Sequence, residues 1–379
     1  MKILAVIDSF GVGGAERLLV SMLPGFTSHG ISVEAAVLWP PYDLVDELEG
    51  LGVKVHRLDI SHRWAIPEAL GKLNRMLRKE QYDIAWGSLY FGNLYSALVR
   101  LFNPKVKVVF SLHSPGYLKS PPVKPWLFTR MKIEQITGSF LADRIVAVSQ
   151  AVADDYKRSL GWKNIRVVHN GVLVKSFPAP IDQRLRQEIR RKFAVSDDEF
   201  LIVVPARYAP EKGHEVLLSA MALLKKEKGW VPKCVATGQG PLREKIKDKA
   251  GNLGFKDEFV LTETLAQDEL FALMQAAEAL VMPSLREPFG LVAVEAMVLG
   301  LPAILSNVDG MRELSGERQS ALMVEPGDPQ SLAEAIWRLY KEEGLRDKLK
   351  ETARIHALEN FDISRTVSEY REIFNNVVK

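Results

Sequence analysis

Two glutamates in the segment Glu287–Glu295, which reads EPFGLVAVE, flank a predicted strand-to-helix turn. The apolar run Ala279–Met282 predicts a buried strand, so Glu287 lies in the loop at the carboxyl end of that strand. Glu295 is predicted to lie about two turns into the following helix. A helix N-terminus offers unpaired N–H groups and a positive dipole end, which suit a diphosphate. The candidate donors at this helix start are the backbone N–H groups near Phe289 and Gly290.

The two carboxylates suit hydroxyl groups next to such a diphosphate, because hydroxyls donate hydrogen bonds. A simpler interpretation makes Glu287 a loop charge and Glu295 a solvated helix residue. Glu295, however, lies on a helix that is apolar nearly all round, between Val294 and Ala296. A buried carboxylate without a partner is costly, so we expect Glu295 to have one and favour a functional role.

Two cations stand five residues apart in the segment Ala206–Gly213, which reads ARYAPEKG. The segment follows the predicted strand Leu201–Pro205 and opens a helix, which places Arg207 and Lys212 at the carboxyl end of a strand. Arg can bind the oxygens of a diphosphate in a bidentate manner, and Lys adds a point charge. Taken alone, Lys212 would equally fit an ordinary solvent-facing loop.

The elements that position these residues are short, continuous apolar runs that alternate with helix-length segments. This pattern is typical of parallel strands covered by helices on both faces, and it predicts doubly wound α/β sheets. The predicted strands are residues 2–8, 33–38, 53–59, 83–89, 106–113, 143–149, 165–170, 200–207, 232–238, 258–262, 278–283, 302–306 and 321–325.

The chain of 379 residues is too long for one ordinary core, and a proline-containing linker follows Val174. We predict one Rossmann-like domain over residues 1–175 and a second over residues 176–362. The last helix, residues 363–379, is predicted to cross back to the first domain. Ligands of open α/β sheets bind outside the carboxyl ends of the strands, so we expect the two domains to face a central cleft.

The composition is that of a soluble globular protein, with 47% hydrophobic and 26% charged residues. The single cysteine, Cys234, excludes a disulfide framework within the chain and is interpreted as a core residue. No apolar run is long enough to span a bilayer. We therefore expect a cytoplasmic protein, with peripheral contact at the inner face of the membrane as an open alternative.

The net charge of +3 is unevenly distributed. Residues 1–175 carry 22 Lys and Arg against 15 Asp and Glu, whereas the remainder carries 28 against 32. The segment Tyr117–Arg130 mixes basic, aromatic and proline residues, and residues 63–79 predict a basic amphipathic helix. Both features suit an anionic membrane surface, although solvated helix faces explain them equally well. No nucleic-acid-binding motif is found.

Several motifs occur together in an order that resembles glycosyltransferase family 4, the retaining enzymes of the GT-B fold. They are the Arg-x4-Lys-Gly element at Arg207, the turn Gly238–Pro241 (GQGP) and the Glu-x7-Glu element at Glu287. In the first half, the loop Gly11–Glu16 (GVGGAE) follows the first strand, and His113 ends another strand. The resemblance covers essentially the whole chain.

The resemblance implies a GT-B fold and transfer of a hexose-type sugar from a nucleoside-diphosphate sugar, with a UDP-sugar favoured. The acceptor would be a glycan or a lipid-linked molecule, with no cofactor and no metal ion. Arg207 and Lys212 would bind the diphosphate, Glu295 the ribose, and Glu287 the transferred sugar. His113 would orient that sugar. The remaining implied donor-binding positions are Gly13, Gly14, Gly238, Gly240, Phe289, Gly290 and Leu291.

Three alternatives remain open. A nicotinamide-dependent dehydrogenase would use the Gly11-x-Gly13 loop, but Glu16 replaces the third glycine and no acidic residue ends the second strand. Another GT-B enzyme, such as a sugar-nucleotide epimerase or a phosphorylase, would not require both charged elements. A non-catalytic protein with this fold would not require charged residues at all of the implied donor positions. Asp309 stands where the family usually has glycine.

Overall fold

The computed structural model describes residues 1–117, 125–308, 310–316 and 318–379. The chain divides into two compact units. Unit 1 consists of Met1–Val172 and Ile363–Lys379, and unit 2 consists of Leu173–Asp362. Asp309 and most of the segment between Tyr117 and Arg130, including Lys119 and Lys124, lie outside the described residues.

Unit 1 contains a seven-stranded parallel sheet with the order β3-β2-β1-β4-β5-β6-β7 in the described part of the chain. Its strands are β1 Lys2–Ile7, β2 Ser32–Val37, β3 Val55–Arg57, β4 Ile84–Ser88, β5 Lys107–Leu112, β6 Arg144–Ala147 and β7 Ile165–Val167. The helices between them are α1 Gly14–Thr27, α2 Val45–Gly50, α3 Ile66–Glu80, α4 Leu89–Val99, α5 Pro125–Phe140 and α6 Gln150–Leu160. The strand order reverses between β1 and β4, which is where ligands of such sheets bind.

In its described residues, unit 2 repeats this architecture with a six-stranded parallel sheet of order β10-β9-β8-β11-β12-β13. Its strands are β8 Leu201–Pro205, β9 Lys233–Thr237, β10 Phe259–Thr262, β11 Ala279–Met282, β12 Ala303–Ser306 and β13 Leu322–Val324. Its helices are α7 Gln183–Lys192, α8 His214–Lys228, α9 Arg243–Asn252, α10 Gln267–Ala276, α11 Leu291–Val298, α12 Met311–Ser315, α13 Pro329–Lys341 and α14 Glu343–Asn360. The order reverses between β8 and β11.

The C-terminal helix, α15 (Ile363–Val378), packs on unit 1. The amide of Ile363 donates to the carbonyl of Val172 at 2.9 Å, and the hydroxyls of Tyr370 and Ser111 lie 2.8 Å apart. The ring of Tyr370 also lies 5.0 Å from that of Trp86, which is fully buried. The helix therefore completes the core of unit 1 with aromatic side chains.

Both sheets are confirmed as doubly wound and parallel, and each predicted apolar run overlaps one strand. The strands are buried on both faces because helices cover both sides, which is why the runs are continuous. Cys234 lies on β9 within the core of unit 2 and is fully buried. Burial raises the pKa of its thiol, as is usual for a core cysteine.

Candidate functional site

Lys212 and Glu287 form an ion pair with a distance of 2.6 Å between Nζ and Oε2. Lys212 comes from the loop after β8 and Glu287 from the loop after β11, and these strands are neighbours at the reversal of strand order. Both side chains are largely buried, at 17% and 11% exposure. Solvent screens such a pair less than a surface pair, so each charge acts strongly on its neighbour.

The two loops are also joined through their backbones. The amide of Leu285 donates to the carbonyl of Glu211 at 2.8 Å. Gly213 has a φ of 69°, and a Cβ there would lie 1.9 Å from the carbonyl oxygen of Pro283. Only glycine permits this approach, so Gly213 fixes the position of Lys212 relative to the Glu287 loop.

Arg207 differs from Lys212 in its surroundings. Its guanidinium forms an ion pair with Glu211 at 2.6 Å, and its side chain is 71% exposed. Within the described residues, no hydrogen bond or ion pair joins Arg207 to Lys212 or Glu287. A diphosphate bound by both cations would therefore compete with Glu211 for the guanidinium.

Tyr208, which sequence reasoning passed over, supports three loops of unit 2. Its side chain is fully buried, and its hydroxyl lies 2.8 Å from the carbonyl oxygen of Ala236 and 2.6 Å from that of Thr262. Its amide donates to the carbonyl of Gln239 at 3.0 Å. The loops after β8, β9 and β10 therefore share one central support. The sequence signal for this role was an aromatic residue between Arg207 and Lys212, because aromatic residues are uncommon in fully solvated loops.

Gly238 and Gly240 are required by the same packing. A Cβ on Gly238 would lie 2.2 Å from the carbonyl oxygen of Ala206, and one on Gly240 would lie 2.4 Å from that of Tyr208. The turn Gly238–Pro241 thus lies directly against the loop that carries Arg207. These glycines are placed next to the candidate site by close backbone contact.

The Glu287–Glu295 segment is held from a further side by Gly310. The amide of Gly310 donates to the carbonyl of Glu287 at 3.1 Å, and a Cβ on Gly310 would lie 2.1 Å from the carbonyl oxygen of Pro288. Phe289 is buried, with its ring edge-on to Phe361 at 5.7 Å. The sequence-predicted Phe289 position therefore lies in the core, and only its backbone can face a ligand.

Helix α11 begins at Leu291, after Gly290 with a φ of 98°. Glu295 is its fifth residue, just over one turn in, which corrects the predicted two turns. It is partly buried and has an interaction partner, as expected from its apolar surroundings. The helix starts later than predicted because the left-handed conformation of Gly290 precedes the first turn.

His214 follows Gly213 at the start of α8, two residues after Lys212. It is 2% exposed, and neither of its ring nitrogens has a hydrogen-bond partner among the described residues. Burial, aided by the charge of Lys212, lowers its pKa to about 4. His214 is therefore neutral near pH 7 and adds no positive charge beside Lys212.

In unit 1, Gly13 and Gly14 form the start of α1, with Gly13 as its N-cap. A Cβ on Gly13 would lie 2.4 Å from Oε2 of Glu16, so this carboxylate folds back over the loop. Burial raises the pKa of Glu16. The loop thus combines exposed backbone at a helix N-terminus with a carboxylate that resists ionisation.

His113 follows β5 and lines a cavity of about 250 Å³ in unit 1. Both of its ring nitrogens are buried without a hydrogen-bond partner among the described residues, and burial lowers its pKa to about 4. The cavity lies at the carboxyl ends of β1, β4 and β5, around the reversal of strand order. Its other polar lining includes Asp8, Arg63, Tyr90, Arg130 and Glu134.

Asp8 is a buried acid in this cavity, and sequence reasoning did not single it out. Gly92 donates to its Oδ1 at 2.7 Å from the start of α4. Burial raises the pKa of Asp8 to about 7, against the opposing influence of the α4 amides, Arg130 and Arg63. An acid that titrates near neutrality in a cavity is typical of a functional site. Its position directly after β1 was the available signal.

Arg130 lies over the ring of Tyr90 at 4.1 Å. Its Nε and the Tyr90 hydroxyl are buried without hydrogen-bond partners in the described part of the chain. Buried donors without partners are costly in a folded protein, which favours a ligand that completes them. The cavity therefore offers donors and a cation to a polar, oxygen-rich molecule.

Within the described residues, no group of three or more His, Cys, Asp or Glu side chains is arranged to hold a metal ion. No described helix is long and apolar enough to cross a bilayer.

Comparisons with known proteins cover nearly the whole chain. A family model described as Glycosyltransferase Family 4 matches residues 12–175, and one described as Glycosyl transferases group 1 matches residues 186–356. The uncharacterized glycosyltransferase MJ1607 of Methanocaldococcus jannaschii is 26% identical over 96% of this chain and 94% of its own length. A D-inositol 3-phosphate glycosyltransferase of Salinispora arenicola is 32% identical over 65% of this chain and 57% of its own length. The structure of Anabaena Alr3699/HepE with UDP-glucose superimposes with a TM-score of 0.86, at 20% identity, over 99% of this chain and 100% of the other.

Proposed function

The chain belongs to glycosyltransferase family 4, and we propose on that basis that it transfers a hexose from a UDP-sugar with retention of configuration and without a metal ion. The acceptor proposed is a glycan or a lipid-linked molecule. The observation that carries the proposal is the Lys212–Glu287 pair at the strand reversal of unit 2. One cation and one carboxylate at the reversal of strand order support the proposal, because ligands of such sheets bind there.

Lys212 acts on the leaving group. Breaking the anomeric bond leaves negative charge on the diphosphate, and a cation held in place beforehand stabilises that charge without reorganisation. Because Lys212 is only 17% exposed, little water competes for it. Arg207, on the exposed side of the same loop, adds a second cation once it leaves Glu211. These two cations take the part that a metal ion plays in other transferases.

Glu287 acts on the sugar. When a diphosphate engages Lys212, one Glu287 oxygen becomes free to accept a hydrogen bond from a sugar hydroxyl. Glu295, partly buried on α11, is proposed to accept hydrogen bonds from the ribose. UDP is chosen as the nucleotide because the Anabaena protein of the same fold was solved with UDP-glucose.

The acceptor is proposed to bind in the cavity of unit 1 next to His113. Asp8, which has a raised pKa of about 7, is placed to accept a hydrogen bond from an acceptor hydroxyl. Arg130 and Arg63 favour an acceptor that also carries a phosphate or carboxylate, either free or linked to a lipid. Two relatives act on such compounds by name, a D-inositol 3-phosphate glycosyltransferase and an N-acetyl-alpha-D-glucosaminyl L-malate synthase.

A thermal-shift panel of UDP, GDP, ADP and NAD in the presence of a chelator tests the donor half. A ligand at about 100 times its Kd adds about 2.7 kcal/mol to the free energy of unfolding. A selective rise of the melting temperature with UDP supports the proposal. A rise with GDP or ADP alone supports a donor site but means that the donor carries that nucleotide and not UDP. No rise with any diphosphate, or a rise with NAD alone, contradicts the proposed donor site.

A further inference from the structure

Unit 2 contains a cavity of about 330 Å³ that lies away from the Lys212–Glu287 pair. It is lined by the linker before α7, the end of α10, the turn after α11 and one side of α14. Glu278 and Pro302 line it directly before β11 and β12, so it lies at the amino ends of these strands. Because Lys212 and Glu287 follow the carboxyl ends of β8 and β11, the cavity is at the other edge of the sheet. This cavity is named the α14 cavity.

Three cations line the α14 cavity. Arg186 comes from α7, and Arg346 and Lys350 come from α14. The two α14 cations are four residues apart, so they lie on the same side of that helix. The side chains of Arg186 and Arg346 are only 24% and 17% exposed. Partly buried charges are screened less by solvent and salt, so these cations act strongly on a ligand in the cavity.

Among the described residues that line the cavity, Glu278 is the one carboxylate. It is already well supplied with donors. The amide of Leu201 donates to its Oε2 at 2.6 Å, and the guanidiniums of Arg186 and Arg190 pair with it. Arg190 is fully buried and does not line the cavity. Three positive charges against one negative charge leave the lining with an excess of two positive charges.

The other acids near the α14 cations lie at the surface. Glu343 is 82% exposed and lies 3.8 Å from the guanidinium of Arg346, and Asp347 is 66% exposed and lies 3.3 Å from Lys350. Surface pairs of this kind contribute little to stability, so a ligand can replace them. The Arg346 guanidinium also donates to the carbonyl of Tyr340 at 3.0 Å. Its position is therefore fixed by the end of α13 before a ligand binds.

Gln275 adds a donor without a partner to the same lining. The amide of Ile181 donates to its Oε1 at 2.7 Å, which fixes the orientation of the side-chain amide. Its Nε2 is buried and has no hydrogen-bond partner among the described residues. A buried donor without a partner is costly, which favours a ligand that supplies an acceptor oxygen.

The rest of the lining is largely apolar, with Ile181, Met274, Leu299 and Leu301 among its side chains. A ligand that fits both parts combines an anionic group with a less polar body. The volume lies at the lower end of the range for small-molecule sites, about 300–1,000 Å³. A phosphate monoester carries close to two negative charges near pH 7, which matches the excess of two positive charges. Guanidinium groups bind its oxygens in a bidentate manner.

We propose that the α14 cavity binds a small phosphate monoester. The phosphate contacts Arg186, Arg346 and Lys350, and the organic body packs against the apolar part of the lining. A ligand at this edge of the sheet is not placed to react with a donor held by Lys212, so the site is additional to the transfer site. The inference does not depend on the proposed function.

Calorimetric titration with phenyl phosphate, in the absence of nucleotide, tests the proposal. Inorganic phosphate and benzoate are titrated for comparison. The test variants are Lys350→Glu and Arg186→Gln. Their matched controls are Lys348→Glu, an exposed lysine of the same helix, and Arg184→Gln, whose side chain is 88% exposed on α7. Lys212→Ala reports any binding of the probe at the donor site instead.

We expect the wild type to bind one phenyl phosphate and each test variant to bind it at least about tenfold more weakly. Both controls and Lys212→Ala should bind it as the wild type does. Inorganic phosphate lacks the organic body and benzoate carries a single charge, so both should bind more weakly than phenyl phosphate. Thermal melts of every variant verify that it is folded.

Four results would overturn the assignment. They are a wild type that does not bind phenyl phosphate, equal binding by the test variants and their controls, loss of binding in Lys212→Ala alone, and benzoate that binds as tightly as phenyl phosphate. The thermal-shift panel with nucleotides reports on the other edge of the sheet. Failure of the donor site and failure of the α14 cavity are therefore distinguishable.

Discussion

Lys212 and Glu287 form an ion pair with each other, with Nζ and Oε2 2.6 Å apart. In the proposed donor complex, a diphosphate bound to Lys212 would also release Glu287 for the sugar, which would couple binding of the two halves of the donor. The close backbone approach between Gly213 and Pro283 sets the relative position of the two loops that carry the pair.

Lys212→Ala should lower kcat by a factor of about 10² to 10³, the size seen when one pre-positioned charge-stabilising group is removed. The change leaves Glu287 without its partner, and we expect a loss of about 1–3 kcal/mol in the free energy of unfolding. Steady-state kinetics and urea denaturation measure both effects. Lys226→Ala, on an exposed part of α8, is the matched control. An unchanged kcat would remove Lys212 from the mechanism.

Glu295→Ala should weaken binding of the free nucleoside diphosphate by about tenfold, because the lost hydrogen bonds to the ribose are charge-assisted. Calorimetric titration with UDP measures the affinity directly. Binding of inorganic pyrophosphate, which lacks a ribose, should be unaffected and serves as the control. If UDP binds to the variant as it does to the wild type, Glu295 does not contact the nucleotide.

Tyr208→Phe removes the hydroxyl that bonds to the carbonyls of Ala236 and Thr262. We expect a loss of about 1–2 kcal/mol in the free energy of unfolding, together with a higher KM for the donor. The loops after β8, β9 and β10 lose their shared support. Tyr340→Phe, in the aromatic cluster with Trp230, provides the comparison. A normal donor KM with reduced stability would limit Tyr208 to a structural role.

The stability of the protein should fall as the pH is lowered from 6.5 to 4, in part because of His214. Its folded-state pKa is lowered from the ordinary value of 6.5 to about 4, so the unfolded chain binds the proton first. The neutral, buried His214 therefore contributes its full share to the free energy of unfolding above pH 6.5. About 3 kcal/mol of that share is lost by pH 4. His214→Gln should reduce this slope, whereas His29→Gln, an exposed histidine, should not. Denaturation curves at pH 7 and pH 4.5 measure the difference in the free energy of unfolding for the wild type and both variants. An equal difference in His214→Gln and the wild type would contradict the role of His214.

Asp8→Asn should change stability with the opposite pH dependence. The folded-state pKa of Asp8 is raised from 3.8 to about 7, so the folded protein binds the proton first and gains stability as the pH falls through 7. Asn has no charge to bury, so the variant should melt higher than the wild type at pH 8. The difference should shrink by pH 5. Activity should fall despite this gain, because unfavourably ionised groups are retained for function. A variant that is active and no more stable at pH 8 contradicts both parts.

The sheets were predictable from the sequence because parallel strands buried on both faces leave continuous apolar runs, as at Leu201–Pro205. The pairing of Lys212 with Glu287 was not, because the two residues are 75 positions apart and only strand order brings them together. Asp8 and Tyr208 were missed for the same reason, because segments distant in the sequence determine what each does. Burial by such segments raises the pKa of Asp8, and Tyr208 bonds to the carbonyls of Ala236 and Thr262. Residues 63–79 left two interpretations open, because leucines at helical spacing serve a core and a membrane equally well. In the structure, Leu73 and Leu77 of α3 are buried in the core of unit 1. Only packing against the sheet distinguishes the two interpretations.

The hydrogen bond from Ile363 to Val172 closes unit 1 around the two crossings of the chain into and out of unit 2. Unit 2 is in effect an insertion between the last strand of unit 1 and its final helix. During synthesis, the ring of Trp86 cannot pack against Tyr370 and Phe374 until the whole of unit 2 has been made. The second unit can therefore finish folding first, and a ribosome that stops early releases a first unit with an open core. We expect loss of α15 to cause aggregation of the N-terminal half, although the missing residues follow unit 2 in the sequence.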